Sequence, residues 1–226
     1  MLKKSNFLKI GHRGAKGHIL ENTLESFRKA IELGVNAVEF DVRQSRDKKL
    51  VVFHDDSLKR IFKRKDLVKD LNLKEIKEIS GGKIPTLDEV LDFIGKKVKK
   101  ILIELKEAGY EKKVLKAIKS KNLNSKIIIV SFCEEALRKV RRLDKKVETG
   151  LIYSRHPNPI KSALALGVNY ILPLCRFTHT TNVKKAREAD LGVIVWTINT
   201  KREAKKYIKK GADGIVSDRP EILEGL

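Results

Sequence analysis

The sequence predicts a (β/α)8 TIM barrel, an α/β fold in which eight parallel strands alternate with helices around one closed sheet. Two observations predict it: β-rich segments alternate with helical patterns along the chain, and the length suits one compact barrel. The chain has 226 residues, slightly fewer than the roughly 250 that are typical of this fold. An open, doubly wound sheet is the alternative architecture.

The strands are predicted from short runs that are rich in β-branched and other apolar residues. Eight such runs occur: FLKIGH (7–12), AVEFDV (37–42), KILIELK (100–106), KIIIVSF (126–132), ETGLIY (148–153), NYILPL (169–174), VIVWTI (193–198) and GIVSD (214–218). Helical patterns fill the gaps between most of these runs, so the strands are expected to be parallel neighbours.

Helix boundaries are marked by short polar signals. Asn22 with Glu25 and Thr86 with Glu89 both have the spacing of a capping box, which satisfies free backbone amides at a helix start. Gly34 stands where a glycine commonly ends a helix. We therefore expect helices to begin at Asn22 and Thr86.

Two segments depart from simple alternation. After the second strand, RQSRDKKLVVFHDD (43–56) contains a polar turn and a further β-rich run with no room for a helix, which predicts a hairpin. A turn near Asp47 would bring His54 to about the level of Asp41. The segment 57–84 is too long for an ordinary loop and carries the helical pattern LNLKEIKEI (71–79), so we expect a small insertion near the barrel mouth. The whole chain, 1–226, is expected to form a single catalytic domain with this insertion.

The chain is strongly basic. It has 50 Lys and Arg residues against 29 Asp and Glu residues, a formal charge of +21, while 41% of its residues are hydrophobic. Such a charge can steer an anionic substrate or mark a surface that binds polyanions. Most of the lysines lie at polar helical positions such as EKKVLKAIKSKN (111–122), which favours solvated helix faces.

The sequence gives no sign of export or membrane insertion. Cys133 and Cys175 lack the spacing of a disulfide framework and are expected to be inert core thiols. The start, MLKKSNFLKIGHRG, has basic residues but no apolar region typical of a signal peptide. The longest uncharged run, 162–175, is shorter than the roughly 20 residues that span a bilayer. We expect a cytoplasmic protein without a transmembrane segment.

Acidic side chains converge where barrel strands end, the place where this fold carries its chemistry. Residues two apart on a strand share a face, so Glu39 and Asp41 point together, as do Glu104 and Lys106. Three carboxylates facing an apolar interior would raise one another's pKa unless a cation held them. Mg²⁺ and Ca²⁺ prefer oxygen ligands and are favoured, while Mn²⁺ and Zn²⁺ remain possible ions.

The groups around this predicted metal site suit phosphate ester chemistry. Arg13 and Lys106 can neutralise charge that grows on the phosphoryl group. His12 and His54 can act as general base and general acid.

These motifs, in their order, resemble the glycerophosphodiester phosphodiesterase family along nearly the whole chain. The matching segments are HRG (12–14), ENT (21–23), VEFDV (38–42), VVFHDDSL (51–58), IPTLDEVL (84–91), ILIELK (101–106), IVSF (129–132), VWTIN (195–199) and GIVSDRP (214–220). The resemblance implies a barrel enzyme that uses a divalent metal to hydrolyse glycerophosphodiesters to glycerol 3-phosphate and an alcohol.

The resemblance also implies roles for individual residues. It implies metal ligation by Glu39, Asp41 and Glu104, acid and base roles for His12 and His54, and phosphate contacts for Arg13 and Lys106. Glu21 and Asn22 match a segment beside the metal, and Trp196 matches an aromatic that lines the glycerol side of the pocket. The segment 57–84 corresponds to the family's insertion.

The sequence departs from the family pattern in two places. Leu20 replaces the usual proline before the ENT segment, and Ile61 and Phe62 replace small polar residues in the insertion, at positions that bear on leaving-group preference.

Two other functions stay open at the level of sequence. One is a non-catalytic barrel that binds nucleic acid or anionic lipid through its charge. One Trp and four Tyr provide few stacking groups, which disfavours specific nucleic-acid binding. The other is a hydrolase that cleaves a different phosphodiester, such as a lysophospholipid headgroup bond or a cyclic intermediate.

Overall fold

The computed structural model describes residues 7–226, in which strands and helices alternate. The strands are β1 (Leu8–His12), β2 (Ala37–Gln44), β3 (Leu50–Val52), β4 (Lys100–Leu105), β5 (Ile127–Ser131), β6 (Glu148–Tyr153), β7 (Tyr170–Pro173), β8 (Gly192–Val195) and β9 (Gly214–Ser217). The α-helices are α1 (Leu24–Glu32), α2 (Lys59–Phe62), α3 (Leu73–Ser80), α4 (Leu87–Ile94), α5 (Glu111–Ser120), α6 (Glu134–Leu143), α7 (Pro159–Leu166), α8 (Thr180–Glu188) and α9 (Lys201–Lys209).

Eight of the strands form a closed parallel barrel. The order around it is β1, β9, β8, β7, β6, β5, β4 and β2, and β1 pairs with both β2 and β9, which closes the sheet. β3 lies outside this ring and pairs antiparallel with β2, with Val52 opposite Val42. The predicted barrel and hairpin are therefore confirmed, and the open sheet is excluded.

The side chains that point into the barrel are apolar at one end and charged at the other. The interior cluster consists of Leu8, Ile10, Ala37, Leu102, Ile128, Val130, Ile152, Leu172, Ile194 and Val216. Because alternate residues of a strand share a face, Leu102 is followed on the inner side by Glu104, and Ile10 by His12. These apolar side chains fill the barrel below the charged residues at the carboxyl ends of the strands.

The start of α1 differs from the prediction. Its N-cap is Thr23, whose side chain accepts a hydrogen bond from the amide of Ser26. Asn22 has a positive φ of 60° and directs its side chain to Asp41 instead. Asn22 was expected to cap the helix because its spacing to Glu25 fits, but both polar atoms of its side chain bind Asp41 on β2, and Thr23 takes the capping position. Gly34 follows the last turn of the helix at φ +80°, as expected.

The capping box at α4 is confirmed. Thr86 accepts from the amide of Glu89 at 3.2 Å, and the Glu89 carboxylate accepts from the amide of Thr86 at 2.6 Å. We expect Thr86→Ala to lower the free energy of unfolding by about 1 kcal/mol, because a helix amide loses its partner. Denaturant unfolding measures this, with Thr181→Ala at an exposed position of α8 as control. Equal stability of the two variants would contradict the capping role.

The segment 57–84 has a small core of its own. It contains α2, a 3-10 turn (Val68–Asp70) and α3, and α3 carries a capping box between Asn72 and Glu75. Its buried residues pack with β3 in one cluster: Val51, Phe53, Leu58, Val68, Leu71, Ile76 and Ile84, with Ile61, Phe62, Leu73 and Ile79 at the edge. The segment is thereby anchored on the hairpin, beside the carboxyl end of β2.

Cys133 and Cys175 are free thiols, and both are half-buried. Each lies just beyond the end of a barrel strand and packs against the edge of an apolar core cluster. The described helices include none that is long and apolar enough to cross a membrane. The prediction about a signal peptide falls partly on residues 1–6, which lie outside the described residues.

Candidate active site

Three buried carboxylates meet at the carboxyl end of the barrel. Glu39 and Asp41 come from β2 and Glu104 from β4, and one oxygen of each lies within 4.8 Å of the others. Asp41 and Glu104 are paired neighbours in the register of the two strands. Asp41 is completely buried, and the other two are almost so. The convergence that the strand pattern predicted is present.

The charges of this cluster are unequal. Burial, followed by repulsion from Asp41 and Glu104, raises the pKa of Glu39 well above its ordinary value. Burial and repulsion from Asp41 raise the pKa of Glu104 to about 7. Burial alone would raise the pKa of Asp41 too, but Arg13 and Lys106 outweigh it and hold this pKa below its ordinary value. Two protonatable carboxylates beside a fixed anion make a site that a cation would stabilise.

The loop after β1 holds the cluster from one side. Asn22 donates to Asp41 at 2.8 Å, and the backbone amide of Arg13 donates to Glu39 at 3.1 Å. Arg13 and Asn22 both have positive φ, 51° and 60°, and the Asn22 amide donates to the Arg13 carbonyl. Gly14 has a φ of +84°, and a Cβ there would lie 2.4 Å from Oγ of Ser26. This strained turn fixes both side chains at the site.

Two basic side chains flank the carboxylates. The guanidinium of Arg13 donates to Glu21 at 2.8 Å, and its Nε lies 3.1 Å from Asp41 as an ion pair. Lys106 lies 2.5 Å from Glu104 and 3.3 Å from Asp41. Both cations are close enough to neutralise an anionic ligand at the same place.

His12 and His54 are each held by one carboxylate at Nδ1. Nδ1 of His12 lies 2.5 Å from Asp218, and Nδ1 of His54 lies 2.6 Å from Asp55. Because a carboxylate only accepts hydrogen bonds, each Nδ1 carries the proton and each neutral ring keeps its Nε2 lone pair available. Nε2 of His12 lies 3.9 Å from Glu39. Each ring therefore has one fixed nitrogen and one reactive nitrogen.

Both imidazoles ionise less readily than usual. Burial lowers the pKa of His12 from its ordinary 6.5, and Arg13 adds to this against the opposing effect of Asp218. Burial likewise lowers the pKa of His54, and Arg13 and Lys106 add to this against the opposing effects of Asp41 and Asp55. Near neutral pH both rings are expected to be neutral in the free protein.

One pocket of about 160 Å³ joins these groups to an apolar wall. Its lining residues are His12, Arg13, Glu39, His54, Glu104, Lys106, Val130, Phe132, Ile152, Leu172, Trp196 and Val216. Trp196 donates its indole proton to the Leu172 carbonyl at 2.7 Å and meets Phe132 edge to face, with ring centroids 5.6 Å apart. The pocket is thus polar on the β1, β2 and β4 side and apolar on the side of β5 to β9.

Comparison with known proteins places this chain in a family. The sequence model of the glycerophosphoryl diester phosphodiesterase family matches residues 12–222. The chain belongs to that family. A glycerophosphodiester phosphodiesterase of Caldanaerobacter subterraneus is 34% identical over 235 residues, with 97% of each chain covered. The predicted family and the predicted enzyme class are confirmed.

Solved structures agree with this assignment. The crystal structure of a glycerophosphodiester phosphodiesterase from Thermotoga maritima has a TM-score of 0.85 and 32% identity, with 96% of each chain covered. A phosphodiesterase from Oleispira antarctica, solved in complex with the product sn-glycerol-3-phosphate, has a TM-score of 0.86 and 28% identity. The match covers 94% of this chain and 93% of that one.

All ten side chains that the sequence singled out lie in or against this family site. They are His12, Arg13, Glu21, Asn22, Glu39, Asp41, His54, Glu104, Lys106 and Trp196. The partners of the histidines, Asp218 and Asp55, were not singled out. Asp218 follows the last barrel strand and is held in turn by Asn199, which donates to it at 3.1 Å. The rule that barrel chemistry lies at strand ends is a signal that could have indicated Asp218, but its pairing with His12 is visible only in the fold.

Proposed function

We propose that this protein hydrolyses glycerophosphodiesters to glycerol 3-phosphate and an alcohol. The observation that carries the proposal is the pocket in which a carboxylate cluster, two cations and two carboxylate-bound imidazoles converge within a phosphodiesterase family. The Oleispira antarctica neighbour holds sn-glycerol-3-phosphate, which supports the same product here. The expected partner is a small anionic substrate, and the enzyme assignment disfavours a non-catalytic polyanion-binding barrel.

The donor set fits a hard divalent cation. Glu39, Asp41 and Glu104 would hold it through oxygen, and among residues 7–226 Oδ1 of Asp41 has no hydrogen-bond partner, its contact with Lys106 at 3.3 Å being an ion pair. We propose Mg²⁺ or Ca²⁺, with Mn²⁺ and Zn²⁺ as less favoured ions, because the three ligands are carboxylates. When bound, the ion supplies Lewis acidity toward a phosphoryl oxygen and orients the diester.

The residues of the chain then have separate roles in hydrolysis. Arg13 and Lys106 bind the phosphate and offset charge that grows on its oxygens in the transition state. One imidazole accepts a proton at Nε2 from the attacking hydroxyl, and the other, protonated beside the bound anion, donates from Nε2 to the leaving oxygen. His12 and His54 suit these two roles because each has its Nδ1 fixed by a carboxylate. The apolar wall at Trp196 would cover the glycerol carbons.

The pH dependence of kcat/KM follows from the ionisation of His12 and His54. The base must be neutral, and the pKa values of His12 and His54 both lie below their ordinary 6.5. We expect a bell-shaped profile of kcat/KM, since this parameter reports the free enzyme: the acid limb, where the base becomes protonated, lies below about pH 6.5, and the alkaline limb follows the loss of the proton from the general acid. A pH profile of kcat/KM for glycerophosphocholine measures it. An acid limb with its midpoint above pH 7 would contradict neutral, buried imidazoles as the base.

A lysophospholipase D-like activity on lysophospholipid headgroups is the second candidate. Phe132 lines the apolar wall and is 48% exposed, so an acyl chain attached to glycerol would find apolar surface at the rim. Initial rates on glycerophosphocholine and lysophosphatidylcholine separate the two candidates. A higher kcat/KM for glycerophosphocholine supports the first proposal, and a higher value for lysophosphatidylcholine supports the second.

We further propose that residues 1–226 act as a single catalytic unit in the cytoplasm, with the segment 57–84 as one wall of the mouth. The shared cluster of this segment with β3 supports the first part, since β3 pairs in turn with the barrel strand β2. The free cysteines are compatible with a reducing compartment.

A further inference from the structure

Arg60, on α2 of the segment 57–84, is the residue through which this segment reaches the site. Its Nε and Nη2 donate to Asp55 at 2.7 and 3.1 Å. Its Nη1 and Nη2 donate to Glu21 at 3.0 and 2.6 Å. One guanidinium therefore binds two carboxylates with two hydrogen bonds each, and these carboxylates lie beyond two neighbouring barrel strands, Glu21 after β1 and Asp55 on the hairpin of β2.

Each of these carboxylates also binds a residue that lines the pocket. Asp55 lies 2.6 Å from Nδ1 of His54, and Glu21 accepts from the guanidinium of Arg13 at 2.8 Å. Two series of contacts therefore begin at Arg60. One runs through Asp55 to His54, and the other runs through Glu21 to Arg13.

We propose that Arg60 is a positioning residue for hydrolysis, which holds the ring of His54 through Asp55 and the guanidinium of Arg13 through Glu21. The inference rests on the proposed function of the site. It gives the segment 57–84, none of whose residues lines the pocket, a part in setting the geometry of that pocket.

The geometry indicates that Arg60 orients the groups it binds and does not merely balance their charge. Arg13 has carboxylates of Glu21, Glu39 and Asp41 within reach, so it has no shortage of negative charge. Glu21 is only 5% exposed at its side chain, and without Arg60 its second oxygen would lose its cation. Arg13 would then be drawn toward Glu21 and away from a phosphate. A planar fork with several donors can fix two carboxylates at once, which a lysine ammonium cannot do in the same geometry.

The neighbours of Arg60 fix its backbone. Ile61 and Phe62, where the family usually has small polar residues, pack at the edge of the apolar cluster of the segment. The ring of Phe62 lies 6.1 Å from that of Phe53, centroid to centroid. The departure at these two positions therefore anchors α2 to the hairpin that carries His54.

Arg60→Ala tests the proposal, with Arg60→Lys to preserve charge and Arg64→Ala as control. Arg64 lies in the same segment and makes an exposed ion pair with Asp66 at 3.0 Å. We expect Arg60→Ala to lower kcat by about 10²-fold, because small misplacements of reacting groups are costly. Arg60→Lys should recover little, and Arg64→Ala should match the wild type. Millimolar guanidinium should restore part of the kcat of Arg60→Ala and none of that of Asp55→Asn.

A double-mutant cycle and a spectrum separate positioning from folding. If Arg60 acts through Asp55, the pair Arg60→Ala with Asp55→Asn should lose less kcat than the product of the single losses. The Nδ1 proton of His54 should give a resonance in the wild type and Arg64→Ala and lose it in Arg60→Ala, at temperatures where all three are folded. This resonance tests the positioning role of Arg60 even if the wild type releases no glycerol 3-phosphate, an outcome that would refute only the proposed function. Retention of the resonance in Arg60→Ala would overturn the inference.

Discussion

Glu104→Gln is expected to lower the rate of glycerol 3-phosphate release by about 10³-fold or more. The change keeps the shape of the side chain and removes one of three carboxylates that lie within 4.8 Å of one another. With one ligand charge lost, the site should bind Mg²⁺ weakly, and the several kcal/mol of transition-state stabilisation that a metal supplies should disappear. Steady-state kinetics and calorimetric titration with Mg²⁺ measure the two losses.

The control for this variant is Glu107→Gln, three residues along the chain. Glu107 is 48% exposed at its side chain and lies 3.7 Å from Arg43 in an ion pair. We expect it to leave the rate and the metal affinity unchanged. Without metal, Glu104→Gln should not lower the thermal midpoint at pH 8, because it relieves a buried carboxylate whose pKa is raised to about 7. Unaltered Mg²⁺ affinity in Glu104→Gln would remove Glu104 from the ligand set.

His12→Ala and His54→Ala are each expected to lower kcat by about 10² to 10⁴-fold, the usual contribution of general acid or base catalysis. KM should change little, since Arg13 and Lys106 carry the phosphate contacts in our proposal. The kinetics of both variants on glycerophosphocholine measure this. His179→Ala serves as control, because His179 is an exposed residue of the loop after β7. Full activity in either His12→Ala or His54→Ala would remove that residue from acid and base catalysis.

The barrel could be predicted because its strands carry their own signal. Each strand is a short run of branched apolar residues, and the turn after β2 had no room for a helix, so both the ring and the hairpin followed from local sequence. The start of α1 could not be predicted in the same way. Asn22 has the right spacing for a cap, but its side chain makes a bond to Asp41 on β2, a contact that depends on the tertiary fold.

In the candidate site too, some residues could be predicted from local sequence and others depend on the tertiary fold. Glu39, Asp41 and Glu104 could be grouped from sequence because strand alternation fixes which side chains share a face. Asp55 and Arg60 lie in the hairpin end and the following segment, where no period relates a side chain to its partner. The link from Arg60 to Glu21 spans 39 positions in the chain and depends on how that segment packs beside the site.

The basic charge is explained only in part. Lys106 and Arg13 line the pocket and suit an anionic substrate. Many other lysines, such as Lys116 and Lys205, lie at exposed positions of helices around the barrel. These surface charges fit the interpretation of solvated helix faces.

The most direct test is release of glycerol 3-phosphate from glycerophosphocholine by metal-stripped protein, followed by addition of Mg²⁺, Ca²⁺, Mn²⁺ or Zn²⁺ one at a time. We expect no release from the stripped protein and recovery with at least one of these ions, with Mg²⁺ or Ca²⁺ the most effective. Undiminished release from fully stripped, folded protein would contradict a metal held by Glu39, Asp41 and Glu104. Absence of release with every ion would contradict the proposed hydrolysis itself.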